Sequence, residues 1–177
     1  MNDVLFVEVQ QFRQAWLWVI ILAVVTSTVV GMYFVARRRK HHKKPVPRWS
    51  LSVMVAASAV SVLVAVLVFV LELRTTVKTD GLYLQFYPLH TEAQKIDINH
   101  LSSAHSITYS PLKDFGGWGI RSGAKGKAYN VSGNQGVMIT FSDPDRQPLL
   151  IGSNQVEALE RAIVQLLEQQ AQPRQGE

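Results

Sequence analysis

Hydrophobic positions fall into three regimes along this chain. Residues 15–36 and 51–71 are apolar without a break, and neither run contains Asp, Glu, Lys, Arg or His. From residue 72 onward, apolar and polar residues alternate over short stretches. Residues 155–169 then repeat at helical spacing. A helix rises about 1.5 Å per residue, so each long run is able to cross a hydrocarbon core of about 30 Å. A soluble domain of this size cannot cover two uniformly apolar helices on every side. The pattern therefore predicts a two-helix transmembrane hairpin, after an N-terminal tail of residues 1–14. Trp16 and Trp18 begin the first run, Tyr33 and Phe34 lie near its end, and Trp49 precedes the second. Those are interfacial positions, where an aromatic ring keeps its polar edge among headgroups. A cleaved signal peptide is not expected. The leader carries Asp3 and Glu8 against the single Arg13, and no small-residue cleavage pattern follows.

The alternating region predicts strands at 72–79, 82–87, 95–98, 104–109, 118–121, 127–131, 137–141 and 148–151. Asp80-Gly81 between the first two is a hairpin signal and predicts a type I′ turn. Ser132-Gly133-Asn134 and Ser142-Asp143-Pro144-Asp145 are further turn formers. The helix at 155–169 has Asn154 as its expected cap and Glu157 in the capping-box position. Its apolar face is Val156, Leu159, Ile163, Leu166 and Leu167. Residues 171–177 are expected to be a disordered polar tail. A small mostly-β domain of about seven strands with a C-terminal helix thus spans residues 72–170, in the element order of a PH-like barrel.

Charge changes the picture of the hairpin. Residues 1–73 hold eight Lys and Arg against three acids, whereas residues 74–177 hold ten of each, so the net +5 belongs to the loop at 37–50. Its cations are Arg37, Arg38, Arg39, Lys40, Lys43, Lys44 and Arg48, with His41 and His42 between them. Anionic lipid headgroups are the expected contact, worth about 1 kcal/mol per basic residue near the surface. Nucleic acid is not an expected partner. The positive-inside rule predicts a cytoplasmic loop in a multi-pass membrane protein. Ala23, Ser27 and Gly31 in the first helix, and Ala57, Ser61 and Ala65 in the second, recur every four residues. Such small-residue faces allow close helix packing, within the hairpin or in a homo-oligomer.

The blocks Phe115-Gly116-Gly117-Trp118-Gly119-Ile120-Arg121 and Gly126-Lys127-Ala128-Tyr129-Asn130-Val131-Ser132-Gly133-Asn134 carry a resemblance. With Asp80-Gly81, Phe86-Tyr87-Pro88, Ser110-Pro111-Leu112 and Leu150-Ile151-Gly152, they make the chain similar to an uncharacterised family of small bacterial two-pass membrane proteins. These carry a C-terminal bacterial PH-like domain. The resemblance covers most of the chain and implies architecture alone, because the family has no established activity. The chain departs from it in the basic loop. Such relatives are expected to hold the soluble domain in the cytosol, which conflicts with the charge rule.

Candidate chemistry concentrates in the glycine-rich blocks. Gly116, Gly117 and Gly119 permit close approach of a partner or backbone that other residues cannot adopt. Arg121, Lys125 and Lys127 gather positive charge, and Trp118 and Tyr129 offer anchoring surfaces beside Asn130. Together they are the candidate binding residues. The competing reading is a glycine-shaped hairpin, with Trp118 in the core and Asn130 and Asn134 satisfying turns. A phosphate loop is excluded, because Ala128 follows Gly126-Lys127 where Ser or Thr is needed. The chain has no Cys and no G-x-S-x-G elbow, and the spacing of His90, His100 and His105 fits no metal pattern. No catalytic residue, cofactor or metal is expected. The expected function is a membrane-tethered module that binds a protein partner, from the membrane or envelope, or a lipid headgroup. The alternative is a structural or accessory subunit of a larger membrane complex.

Overall fold

The computed structural model describes residues 3–41, 48–96, 101–123 and 125–171. The chain divides into two compact units: Arg13–Val70, and Met1–Phe12 joined with Leu71–Glu177.

The first unit is the helical hairpin. Helix α1 spans Ala15–His41 and α2 spans Arg48–Val70. Their apolar spans, Ala15–Arg38 and Ser52–Val70, have mean hydropathies of 2.4 and 2.9 with 0% of either window buried. Side chains this apolar and this uncovered need an apolar solvent, and both helices are long enough to span a bilayer. The basic segment is shorter as a loop than expected, because α1 runs on through Arg37, Arg38, Arg39 and Lys40, and α2 begins at Arg48. Lys43 and Lys44 lie outside the described residues.

The helices pack along a seam that the small-residue stripes only partly trace. Trp18, Ile21, Val25, Thr28, Met32 and Val35 are partly covered on α1, as are Met54, Ser58, Ser61, Ala65 and Val68 on α2. That spacing alternates threes and fours, the seven-residue rhythm of a left-handed pair. Gly31 belongs here, since a Cβ on it would stand 2.7 Å from Met54 Cε. Ser58 Oγ lies 3.4 Å from Met32 Sδ across the seam. Ala23, Ser27 and Ala57 are instead exposed. Stepping by four drifts around the helix, so three of the six stripe residues leave the contact.

The second unit holds nine strands among the described residues, where about seven were expected. All eight sequence-predicted strands are found, with shifted ends. The ninth is β1, Val4–Gln11, in the segment expected to be a tail. It pairs antiparallel with β2, Glu72–Lys78, from Val4↔Lys78 to Gln11↔Glu72. Strands β3, Gly81–Tyr87, and β4, Gln94–Ile96, complete an antiparallel sheet in the order β1-β2-β3-β4. The second sheet has the order β5-β8-β9-β7-β6. Its members are β5 Leu101–Thr108, β6 Gly119–Gly123, β7 Gly126–Asn130, β8 Gln135–Phe141 and β9 Leu149–Gly152. Among the described residues, only β7 and β9 pair in parallel. A short helix, α3 at Pro111–Phe115, precedes β6, and α4 at Val156–Ala171 ends the domain.

Burial follows strand parity. One face of the first sheet, including Phe6, Leu73, Val77, Leu82, Leu84 and Phe86, joins Tyr129, Val137, Ile139 and Ile151 of the second and Leu159, Ile163 and Leu166 of α4 in one core. The opposite face of the second sheet carries a smaller cluster, Tyr109, Phe115, Ala128 and Leu150. The β2–β3 turn departs from expectation. Lys78 pairs with Gly81, so Thr79 and Asp80 form the turn, and among the described residues no non-glycine residue has positive φ. A type I′ turn needs positive φ at both central positions, so it is not formed. Side chains bind the turn instead: Tyr83 OH donates to Asp80 at 2.7 Å, and Lys95 Nζ pairs with it at 3.3 Å.

The start of α4 is also held differently from expectation. Glu8, on the inward face of β1, accepts from Ser153 Oγ at 2.6 Å and from Asn154 N–H at 2.9 Å. Ser153 Oγ in turn accepts from Gln155 N–H. A carboxylate at a helix N-terminus meets unpaired amides and the positive end of the dipole. Gln10, two residues along β1, donates to Gly152 O at 2.7 Å.

Candidate functional site

The glycine-rich segment is built around the end of α3. Gly116 ends that helix in the left-handed region, at φ 74° and ψ 18°. Its N–H donates to Leu112 O at 3.1 Å, and that of Gly117 donates to Pro111 O at 2.8 Å. Gly117 and Gly119 have φ of 128° and 111°, which side-chain-bearing residues rarely adopt. Arg121 folds back over this turn. Its Nε donates to Trp118 O at 2.9 Å, and its guanidinium lies beside the bare α-carbon of Gly117. The glycines thus shape a backbone that an arginine then covers.

Asn130 fixes the segment from below. It is fully buried, and its Oδ1 accepts from Gly119 N–H at 2.9 Å. Trp118 is only partly buried, and its indole N–H donates to Gly133 O at 3.2 Å. It therefore reaches the β7–β8 turn and is absent from the core it was offered for. Asn134 O accepts from Tyr109 N–H at 2.8 Å. Burial pushes the Tyr109 phenol above its ordinary pKa. Lys125 pairs with Asp114 of α3 at 2.8 Å. That ammonium, with the Ser110 amide, holds the Asp114 carboxyl below the usual carboxylate range.

Strand parity separates the five candidate residues of the β6–β7 ladder into two groups. In the β6–β7 ladder, Gly119 pairs with Asn130, Arg121 with Ala128, and Ser122 with Lys127. Residues directly opposite share a face, and neighbours along a strand do not. Gly119, Arg121 and Asn130 therefore lie on the α3-covered face, where the Arg121 guanidinium meets Gly117 and Lys125 reaches Asp114 of α3; Trp118 lies outside the ladder. Lys127 and Tyr129 lie on the other. Lys127 Nζ stands 5.0 Å from the Tyr129 ring centroid there. The buried Tyr129 ring lies 6.2 Å from that of His90. The sequence brought these residues together because it lists neighbours without regard to alternation.

Leu112 and Arg121 are exposed and Trp118 is partly exposed, with Arg121 Nε held on the Trp118 carbonyl. This combination suits a protein surface, with an aromatic and an arginine as anchors and an aliphatic neighbour. Among the described residues no group of three or more His, Asp or Glu could hold a metal ion. His90 is partly buried in the β3–β4 connection and His105 is exposed on β5, while His100 lies outside the described residues. No protein-family model and no curated protein matches this chain.

Proposed function

We propose that this chain is a membrane-tethered binding module without catalytic activity, whose PH-like domain engages a protein partner through the Leu112–Trp118–Arg121 face. The observation that carries this reading is the chain path. The domain is interrupted by the hairpin, so it has two tethers. Only Phe12, Arg13 and Gln14 lie between β1 and α1, and only Leu71 lies between α2 and β2. Three residues reach at most about 11 Å, which confines the domain near the bilayer. Confinement raises its effective concentration for membrane or envelope partners, so weak intrinsic affinity suffices. The two-sheet domain with a C-terminal helix supports the PH-like reading. The basic residues between the helices support a cytoplasmic loop touching anionic lipid, with the domain on the other side of a bacterial inner membrane.

The test is site-specific photo-crosslinking in cells from position 112. A discrete crosslinked species is expected, lost on Arg121→Glu and retained on Arg161→Glu, whose side chain is on exposed α4 surface. No discrete species from position 112, in a chain that is monomeric in mild detergent, overturns the proposal. A second reading, a structural subunit of a larger complex or homo-oligomer, is favoured by Ala23, Ser27 and Ala57. These small residues are exposed on hairpin faces away from the seam. Loss of assembly on Ser27→Leu, with the crosslink intact, would select that reading.

A further inference from the structure

The inward face of β7 lines a cleft of its own. It has a volume of about 280 Å³ and lies between β4, β7, the ends of β8 and β9, and the β8–β9 connection. Two cations stand in its wall, Lys127 and Arg146, and among the described residues none of its lining is acidic. Each cation rests on an aromatic face. Lys127 Nζ is 5.0 Å from the Tyr129 centroid, and Arg146 Cζ is 3.8 Å from the Phe141 centroid. Aromatic faces hold a cation in position without neutralising it. Neither is in an ion pair among the described residues, in contrast to Arg74 with Glu72, Lys95 with Asp80 and Lys125 with Asp114. The nearby Asp143 carboxylate is turned to its own loop, where it accepts from Asp145 N–H at 3.0 Å.

The remaining walls are divided. Gln94 and Gln147 supply amides at the rim, and Ile96 and Leu149 supply aliphatic surface. Gln94 Oε1 accepts from Tyr129 OH at 3.4 Å, so its NH₂ is the donor end of this side chain. Two fixed cations, amide donors and an apolar wall are the complement of an anion carrying a short apolar stem. We infer that the cleft binds a phosphate monoester or diester of glycerol type, with the phosphate between Lys127 and Arg146 and the carbon stem against Ile96 and Leu149. The ligand is either a phospholipid headgroup or a soluble glycerol phosphate. This site is on the opposite face of β7 from the proposed partner surface, so either proposal can fail alone.

The full chain in nanodiscs of zwitterionic lipid, titrated calorimetrically with glycerol 3-phosphate, tests the soluble source. The same chain in nanodiscs containing phosphatidylglycerol, followed by its thermal midpoint, tests the lipid source. Saturable binding in the first, or a raised midpoint in the second, is expected. The Lys127→Gln/Arg146→Gln double variant should weaken binding about tenfold or more, the loss expected for charge-assisted hydrogen bonds. Arg161→Gln, on the exposed surface of α4, should bind as the unaltered chain does. If the double variant fails to fold, Arg146→Gln alone in the β8–β9 connection must still weaken binding. Absence of both responses, or equal binding by a folded double variant, overturns the inference.

Discussion

At Gly126 a single absent methyl decides how β7 meets the β8–β9 connection. Its φ is 112°, and a Cβ there would overlap the Pro148 carbonyl. Gly116 is also left-handed, but open space surrounds the position of its Cβ. Gly126→Ala is therefore expected to destabilise the domain by about 3 kcal/mol or more, and Gly116→Ala by about 1 to 2 kcal/mol. Unfolding midpoints in denaturant rank the two, and equal losses would refute the steric argument. Asp114 offers a different residue-level test. Its folded pKa is depressed by Lys125 and the Ser110 amide. A depressed carboxyl stabilises the fold above its unfolded pKa, about 3.9, and that contribution is lost as pH falls through the folded value. In Lys125→Gln the carboxyl should titrate closer to its ordinary range, as read by NMR.

At the scale of elements, β1 explains what the sequence concealed. The eight strands after the hairpin are legible from period-two alternation and turn residues. In β1 the alternation is inverted. Val7 and Val9 are exposed, whereas Glu8 and Gln10 are buried. A reading that sends valines inward and carboxylates outward finds no core face in residues 4–11 and assigns a tail. The Glu8 carboxylate and the Gln10 NH₂ group find their partners at Gly152, Ser153 and Asn154, which no local pattern connects to them. Glu8→Ala should therefore cost about 2 to 4 kcal/mol, the loss of two bonds to a charged acceptor. Glu157→Ala, in the capping-box position but exposed, should cost far less. The hairpin yields a parallel contrast. Gly31→Leu must displace Met54 and should reduce disulfide crosslinking between seam cysteines at 21 and 65 by half or more. Ser27→Leu should leave it unchanged. The candidate site was legible as residues, but its division between two sheet faces required the β6–β7 register.

For the whole molecule, the pairing of β1 with β2 constrains where the ends of the hairpin emerge. Both strands belong to one domain, so residues 11 and 72 must leave the bilayer on the same side. Cysteines at the exposed Val7 and Glu157 positions should react together with a membrane-impermeant maleimide in intact cells, or be protected together. A cysteine at position 42 should behave oppositely. Reaction of Val7→Cys without Glu157→Cys would break the two-tether architecture on which the proposed function depends.

This threading has a consequence for biogenesis. β1 leaves the ribosome first and its partner strand only after both helices, so the domain stays unfinished throughout membrane insertion. A chain that inserts one helix and stalls would strand Glu8 across the bilayer from Ser153. β2 would then keep an unpaired edge of the kind that templates wrong pairing. Completion of the first sheet thus requires that both helices have crossed.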